Sequence, residues 1–510
     1  MQQTDILLCT LNSTYQHASF GLRYLFANLG PLKEKALILE WTIKENPRVI
    51  VEKILQYQPR IVGFSVYIWN TETTLQIISV LKKVAPEILI VLGGPEISYE
   101  TRTQAHLKYC DYVITGEADF SFRNFCENYL IHNIKPSEQI IASELPDIKA
   151  IQFPYDLYSD DDIKNRVIYV EASRGCPYKC EYCLSSLDKS VRSFDLELFL
   201  NEIKTLLDRG ARTFKFVDRT FNLSPTSSNR ILQFFLEHIS LGLFLHFELV
   251  PDRLPAEIRE LIQKFPEGSL QFEVGIQTLN PAVAANVSRK NDLVKVQQNF
   301  QFLNEHTHVH THADLIAGLP GETLESFASG FDRLAAMKPN EIQVGILKRL
   351  KGTPIARHEK TFQMIYSDFS PYQILSTNTM DYQTLQKMNR FAKFWDLYAN
   401  SGQFKNFMTW FVDQSSRGNE ASFFWSFFGF SEFLSERFTE THSLSLASLA
   451  EQAWNYLRFK DVSEETAQEI IVKDYCHGFK RRDLPMFLKP QMKVEATAGS
   501  RNHRQMQHLT

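Results

Sequence analysis

Three of the seven cysteines in this 510-residue chain crowd into one loop, Cys176-Pro177-Tyr178-Lys179-Cys180-Glu181-Tyr182-Cys183. Thiolates separated by three and then two residues can wrap one face of a [4Fe–4S] cubane, which needs one ligand for each iron. No fourth cysteine lies near; the neighbours in sequence are Cys126 and Cys476. The fourth iron is then left for an exogenous ligand. The competing reading is structural zinc, which is four-coordinate and usually takes paired cysteines or a Cys/His pair at short spacing. No histidine stands between positions 133 and 237, so a fourth zinc ligand would have to be remote. Gly175 allows a tight entry to the loop, and Pro177 stops it from continuing as a strand.

The elements that must position this loop follow from the apolar pattern. Residues 5–130 alternate short apolar runs (5–11, 36–43, 60–69, 88–93 and 112–116) with helix-like stretches such as 21–29, 47–56 and 71–84. Such alternation predicts a parallel sheet covered on both faces, and five strands suit a flavodoxin-like, doubly wound α/β domain. Its ligand crevice would lie beyond the strands' carboxyl ends, where Gly93-Gly94-Pro95-Glu96 and Gly116-Glu117-Ala118-Asp119 stand. The alternation restarts with strand-like runs at 167–172, 213–218, 244–249, 270–275, 309–317 and 341–347, which predicts a partial (β/α)6 barrel. The cysteine loop directly follows the first of these runs, and catalytic groups of barrels sit on loops at strand carboxyl ends. The expected organisation is a first domain over 1–135, a linker over 136–165, a barrel core over 166–366, a mostly helical C-terminal domain over 367–490 and a disordered tail over 491–510.

Bulk composition narrows the setting. The formal net charge is −4, from 55 basic and 59 acidic residues, which gives no global nucleic-acid or membrane footprint. The start of the chain lacks the charged and apolar regions of a signal peptide. No uncharged apolar run approaches the roughly 20 residues that span a bilayer. The longest, within 421–430, is expected to be a buried helix. An odd cysteine number with three clustered argues against a disulfide framework and for a reducing, cytoplasmic setting.

The cysteine spacing, with Tyr182 before the last cysteine, resembles the signature of the radical S-adenosylmethionine (SAM) superfamily. Further segments match in order. Val217-Asp218-Arg219-Thr220-Phe221-Asn222 resembles the family's second-strand segment near the methionyl amino group, although Arg219 stands where a second acid is frequent. His246-Phe247-Glu248-Leu249 resembles the third-strand segment that approaches the ribose. Glu273-Val274-Gly275-Ile276-Gln277-Thr278, with Ser288-Arg289-Lys290, resembles the segment that brings Gln277 and Arg289 to the cofactor. The run from Asp314 to Thr323 is similar to the fifth-strand turn. The resemblance implies that Cys176, Cys180 and Cys183 ligate a [4Fe–4S] cluster. It also implies that Tyr182, Asp218, Glu248, Gln277 and Arg289 contact SAM, which one electron cleaves to a 5′-deoxyadenosyl radical.

A flavodoxin-like domain upstream of such a barrel resembles the cobalamin-binding domain of B12-dependent radical enzymes. The resemblance implies cobalamin contacts at Gly93, Gly94, Glu117 and His17. His17 is the candidate cobalt ligand, although the D-x-H-x-x-G pattern of other cobalamin domains is absent. The region from Ser370 resembles an uncharacterised domain that follows some cobalamin-type radical proteins. The implied activity is methyl transfer to an unactivated centre. Radical rearrangement or ring contraction, methylthiotransfer and a non-enzymatic cobalamin or redox sensor stand as alternatives. Methylthiotransfer would need a second three-cysteine site from Cys9, Cys110 and Cys126. Expected partners are a small-molecule or natural-product substrate and an electron donor such as flavodoxin or ferredoxin, with no DNA and no membrane.

Overall fold

The computed structural model describes residues 4–415, 422–438, 444–476 and 485–488. In the first domain β1 (Ile6–Asn12), β2 (Ala36–Thr42), β3 (Ile61–Ser65), β4 (Leu89–Gly93), β5 (Tyr112–Thr115) and β6 (Ile140–Ala142) form one parallel sheet in the order β2-β1-β3-β4-β5-β6. The first five strands have the flavodoxin-like order. Both faces are covered, which explains the unbroken apolar runs. Leu7, Val62, Phe64, Ile90 and Leu92 face the helices Pro47–Gln56 and Thr71–Val84, while Ile6, Leu8, Ile61 and Val91 face Phe20–Ala27 and Asp119–Leu130.

The segment expected as a linker, 136–165, is instead built into the fold. Ile140–Ala142 extends the first sheet, and Tyr155 and Tyr158 are wholly buried in the barrel's core. Three strand residues are too few for a periodic signal, which is why sequence pattern left this stretch blank.

The second sheet is the expected open barrel. β7 (Ile168–Val170), β8 (Thr213–Phe216), β9 (Phe244–Leu249), β10 (Leu270–Gln277), β11 (His310–Ala317) and β12 (Glu341–Ile346) pair in chain order, all parallel. Side chains alternate across each strand. One set, with Phe214, Phe216, Leu245, Phe247, Phe272, Ala313 and Leu315, packs on the surrounding helices. The other set is polar: Tyr169, Lys215, His246, Glu248, Glu273, His312 and Asp314 alternate with it. A parallel sheet with one polar face calls for a polar interior, and this face leads up to the cysteine loop.

The C-terminal region is helical, as expected. Phe423–Ser435 covers most of the apolar run at 421–430 and buries Phe424, Phe427 and Phe430 completely. These rings pack against Phe391, Trp395, Phe411 and Tyr456 in one core continuous with the barrel. Among the described residues no helix is long and apolar enough to cross a membrane. The tail expected over 491–510 lies outside the described residues.

Candidate active site

The cysteine loop leaves β7 through a two-residue antiparallel ladder, Ser173 with Ser193 and Arg174 with Arg192. Gly175 follows at φ +92°, and a Cβ there would collide with the Ser190 carbonyl oxygen, so only glycine fits. The Cys176 N–H donates to the Asp188 carbonyl at 3.0 Å. Glu181, which sequence reasoning passed over, anchors the middle of the loop. Its buried carboxylate accepts from Ser288, Arg357 and, at 2.9 Å, from His358. Its backbone bonds to Val287 and Ile355.

The three thiols face one cavity of about 240 Å³ at the carboxyl ends of the barrel strands, shared with Tyr182, Arg219, Glu248, Glu273, Gln277, Arg289 and Asp314. Arg289 crosses it. One guanidinium nitrogen donates to the Cys180 sulfur at 3.4 Å and to the Tyr182 hydroxyl at 3.1 Å, and another reaches the Gly275 carbonyl. Gln277 is held at φ +71°, beside a register shift between Gly275 and Gln277 that turns its side chain to the cavity. Arg219 donates to both oxygens of Glu248, at 2.8 and 3.1 Å. Two carboxyls on the same wall are set apart. Against the cost of burial, the hydrogen bond from His246 and the charge of Lys215 hold Glu273 well below the usual range. Burial and the neighbouring Glu273 and Glu248 push Asp314 well above it. Neither Glu273 nor Asp314 was singled out as a site residue from the sequence, although both lie in the segments quoted above.

Asp218 does not reach this cavity. It is buried and accepts from the Ala172 N–H and the Ser173 hydroxyl, at 3.0 and 2.6 Å, and burial pushes it up to about 6. It ties the end of β8 to the entry of the cysteine loop, which is a positioning role.

The donor set fits a cluster with an open iron. Three thiols line the cavity, and no fourth cysteine does. Among the described residues no three His, Cys, Asp or Glu side chains gather closely enough around a point to hold a single metal ion. The Arg289 Nε is buried without a hydrogen-bond partner and Asp314 Oδ1 has its ion-pair partner His312 Nε2 at 3.7 Å, beyond hydrogen-bond reach, as expected of a wall that meets a polar ligand.

A second cavity, of about 260 Å³, opens at the carboxyl ends of β3, β4 and β5. Gly93, Gly94 and Glu117 line it as expected, together with Gly63, Gly116, Tyr67, Asp119, Glu171 and Arg174. A Cβ at Gly94 would stand 2.7 Å from the Val66 carbonyl oxygen. Leu8, Val91, Ile114 and Phe122 make the rest apolar. A slot with a glycine floor and walls that are apolar apart from Glu117, Asp119, Glu171 and Arg174 fits a flat group such as the base of a cobalamin's nucleotide tail. His17 does not line it. His17 Nδ1 shares a 2.6 Å hydrogen bond with the Tyr169 hydroxyl, and its backbone bridges to Val167 at the edge of the barrel. Glu117 is committed to arginines, with one oxygen taking Arg174 at 2.8 Å and the other Arg192. Cys9 and Cys110 sit in the apolar layer on one side of the first sheet and Cys126 in the layer on the other, so they do not form a second three-thiol site.

This pairing of a cluster loop over an open parallel barrel with a doubly wound cofactor domain is that of a radical SAM protein that binds B12. Family models agree along the chain. A B12 binding domain matches residues 7–125, the Radical SAM superfamily 170–334, and a Protein of unknown function (DUF4080) 360–509. The chain is thus a B12-binding-domain-containing radical SAM protein with an uncharacterised C-terminal domain. It is 23% identical to the cobalamin-dependent radical SAM methyltransferase TokK of Streptomyces tokunonensis, across 60% of this chain and 49% of that one. The chain spans about half the length of this curated relative. Two solved structures share the fold. The radical SAM methyltransferase TsrM from Kitasatospora setae superposes with a TM-score of 0.59 at 15% identity, over 72% of this chain and 79% of its own. The cobalamin-dependent SAM radical enzyme OxsB does so with 0.60 at 13% identity, over 91% of this chain and 77% of its own.

Proposed function

We propose that this protein is a cobalamin-dependent radical SAM enzyme that cleaves SAM reductively and supports methyl transfer to an unactivated carbon or phosphorus centre. The observation that carries the reading is the open-ended thiol site, three cysteines facing a polar cavity beside Arg289, on a loop whose entry residue Arg174 lines a glycine-floored slot in the upstream domain.

When bound, the cluster and cobalamin supply an electron for SAM cleavage and a transferable methyl group. The chain's residues do the rest. Cys176, Cys180 and Cys183 would hold three irons and leave the fourth for the amino and carboxylate groups of SAM. Arg289 offers a cation for that carboxylate and steadies the Cys180 sulfur. Glu248 and Gln277 offer acceptors and donors to the ribose and methionyl groups. Glu273 is held toward its ionised form and Asp314 is pushed toward its protonated form on the same wall, which favours an acceptor at one and a donor at the other. Tyr182 closes the cavity beside Arg289. The substrate is expected to be a small molecule or natural-product intermediate, and the electron donor a flavodoxin or ferredoxin.

The test is anaerobic reconstitution of the full chain with iron, sulfide and hydroxocobalamin, followed by visible spectroscopy after gel filtration. Cluster and corrinoid bands are expected together. A cluster band with no corrinoid retained would remove the cobalamin half of the reading. Once a substrate is found, SAM carrying a deuterated methyl group separates methyl transfer, which labels the product, from rearrangement, which does not.

A further inference from the structure

The turn that was expected to touch the corrinoid is wired to the cluster loop. Arg174 is the residue immediately before Gly175 and Cys176. Its Nη1 donates to Glu117 at 2.8 Å and Asp119 at 2.9 Å, and its Nε to Glu171 at 2.9 Å. Its guanidinium lies over the Tyr24 and Phe194 rings, 4.6 and 5.6 Å from their centroids. On the returning stem of the loop, Arg192 donates to the other Glu117 oxygen and to Asp188 at 3.1 Å. The Asp188 carbonyl in turn accepts the Cys176 N–H. One carboxylate from the first domain therefore grips both stems of the cysteine loop. Arg174, Asp119 and Glu171 are largely buried, so these ion pairs are shielded from solvent screening.

The same groups form part of the upstream cavity. Glu117, Asp119, Glu171 and Arg174 line it beside Gly93 and Gly94. Glu117 follows Gly116, which has φ +80°, just before the helix Asp119–Leu130. A ligand seated on this turn would meet Glu117, whose two oxygens hold the arginines of the ladder that leads to Cys176.

We propose that Glu117, Arg174 and Arg192 are positioning residues that couple the corrinoid site to the cluster loop, so that filling one stabilises the other. This rests on the corrinoid reading of the first domain. It differs from it in assigning Glu117 to the loop rather than to the corrinoid. A coupling between two binding events is reciprocal and typically changes each affinity five- to 150-fold.

The test uses the full chain carrying a reconstituted cluster and follows iron release to a ferrous chelator, with and without hydroxocobalamin. In the wild type, corrinoid is expected to slow iron release by about tenfold. In Glu117→Gln, assayed on cluster-loaded protein at a corrinoid concentration that saturates the variant, the slowing falls below about twofold. Arg192→Lys keeps the charge and serves as a second variant should Glu117→Gln fail to fold; it is expected to lose most of the slowing. By reciprocity, cluster loading should also tighten corrinoid binding in the wild type and not in the variants. Equal slowing in wild type and both variants would overturn the proposal. Corrinoid uptake without any effect on iron release would overturn the coupling alone, whereas no uptake by the wild type would remove the corrinoid reading with it.

Discussion

A guanidinium nitrogen of Arg289 lies 3.4 Å from the sulfur of Cys180, 109 residues earlier in the chain. The contact joins the segment after β10 to the cysteine loop and sets a fixed cation beside the sulfur. The same side chain holds the Tyr182 hydroxyl and the Gly275 carbonyl. Arg is suited to this, because its planar fork spans several acceptors that a lysine ammonium cannot reach together.

Arg289→Lys should therefore keep the cluster and lose SAM. Hydrogen bonds to charged groups are worth about 1.5–3 kcal/mol, so affinity should fall by roughly ten- to 150-fold. Equilibrium dialysis with SAM measures this, with iron content as the control. Unchanged SAM affinity would show that Arg289 serves only the loop.

Gly175→Ala should damage the loop specifically. The position has φ +92° and its Cβ would strike the Ser190 carbonyl oxygen. Strained backbone positions of this kind cost about 1–3 kcal/mol. The expected result is a folded chain, by circular dichroism, with iron incorporation reduced severalfold after reconstitution.

Glu181→Ala removes the buried carboxylate that collects Ser288, Arg357 and His358. Leaving such donors unsatisfied costs about 1–3 kcal/mol. Chemical denaturation should show that loss. Iron release to a chelator should also accelerate, since Glu181 lies between the second and third cysteines.

Glu322 supplies a pH dependence. Burial pushes its carboxyl up to about 7, while the Thr278 hydroxyl donates to it at 2.8 Å. An unfolded glutamate releases its proton near its ordinary value of 4.5. Between these pH values the native state binds the extra proton, so stability is fully present below about 4.5 and declines as pH rises through about 7. Glu322→Gln cannot ionise and should flatten this decline in denaturation midpoints across that window. Glu171 and Asp218, also raised by burial to about 7 and 6, should keep part of the slope. An identical slope in the variant would contradict the assignment.

What could be read from the sequence was whatever is encoded locally. The cysteine spacing, the glycine before it and the barrel's six strands are short-range patterns, and all stand in the structure at nearly the expected positions. Gln277 and Arg289 were reached through ordered segments, and both face the thiols. Three assignments depended instead on partners far along the chain. Asp218 turned inward to Ala172 and Ser173, His17 was taken by Tyr169 of the barrel, and Glu117 by two arginines of the cysteine loop. A polar side chain at a strand end looks the same in sequence whether it faces a ligand or another domain. The strand Ile140–Ala142 was missed for a different reason, being too short to show a period.

The central claim is that three thiols hold a cluster whose fourth iron is open to SAM. Electron paramagnetic resonance of the reduced, reconstituted full chain tests it most directly, recorded before and after SAM is added. The signal should shift on addition of SAM, and 5′-deoxyadenosine should then accumulate. A fully loaded cluster whose signal SAM leaves unmoved, with no 5′-deoxyadenosine formed, would contradict the account.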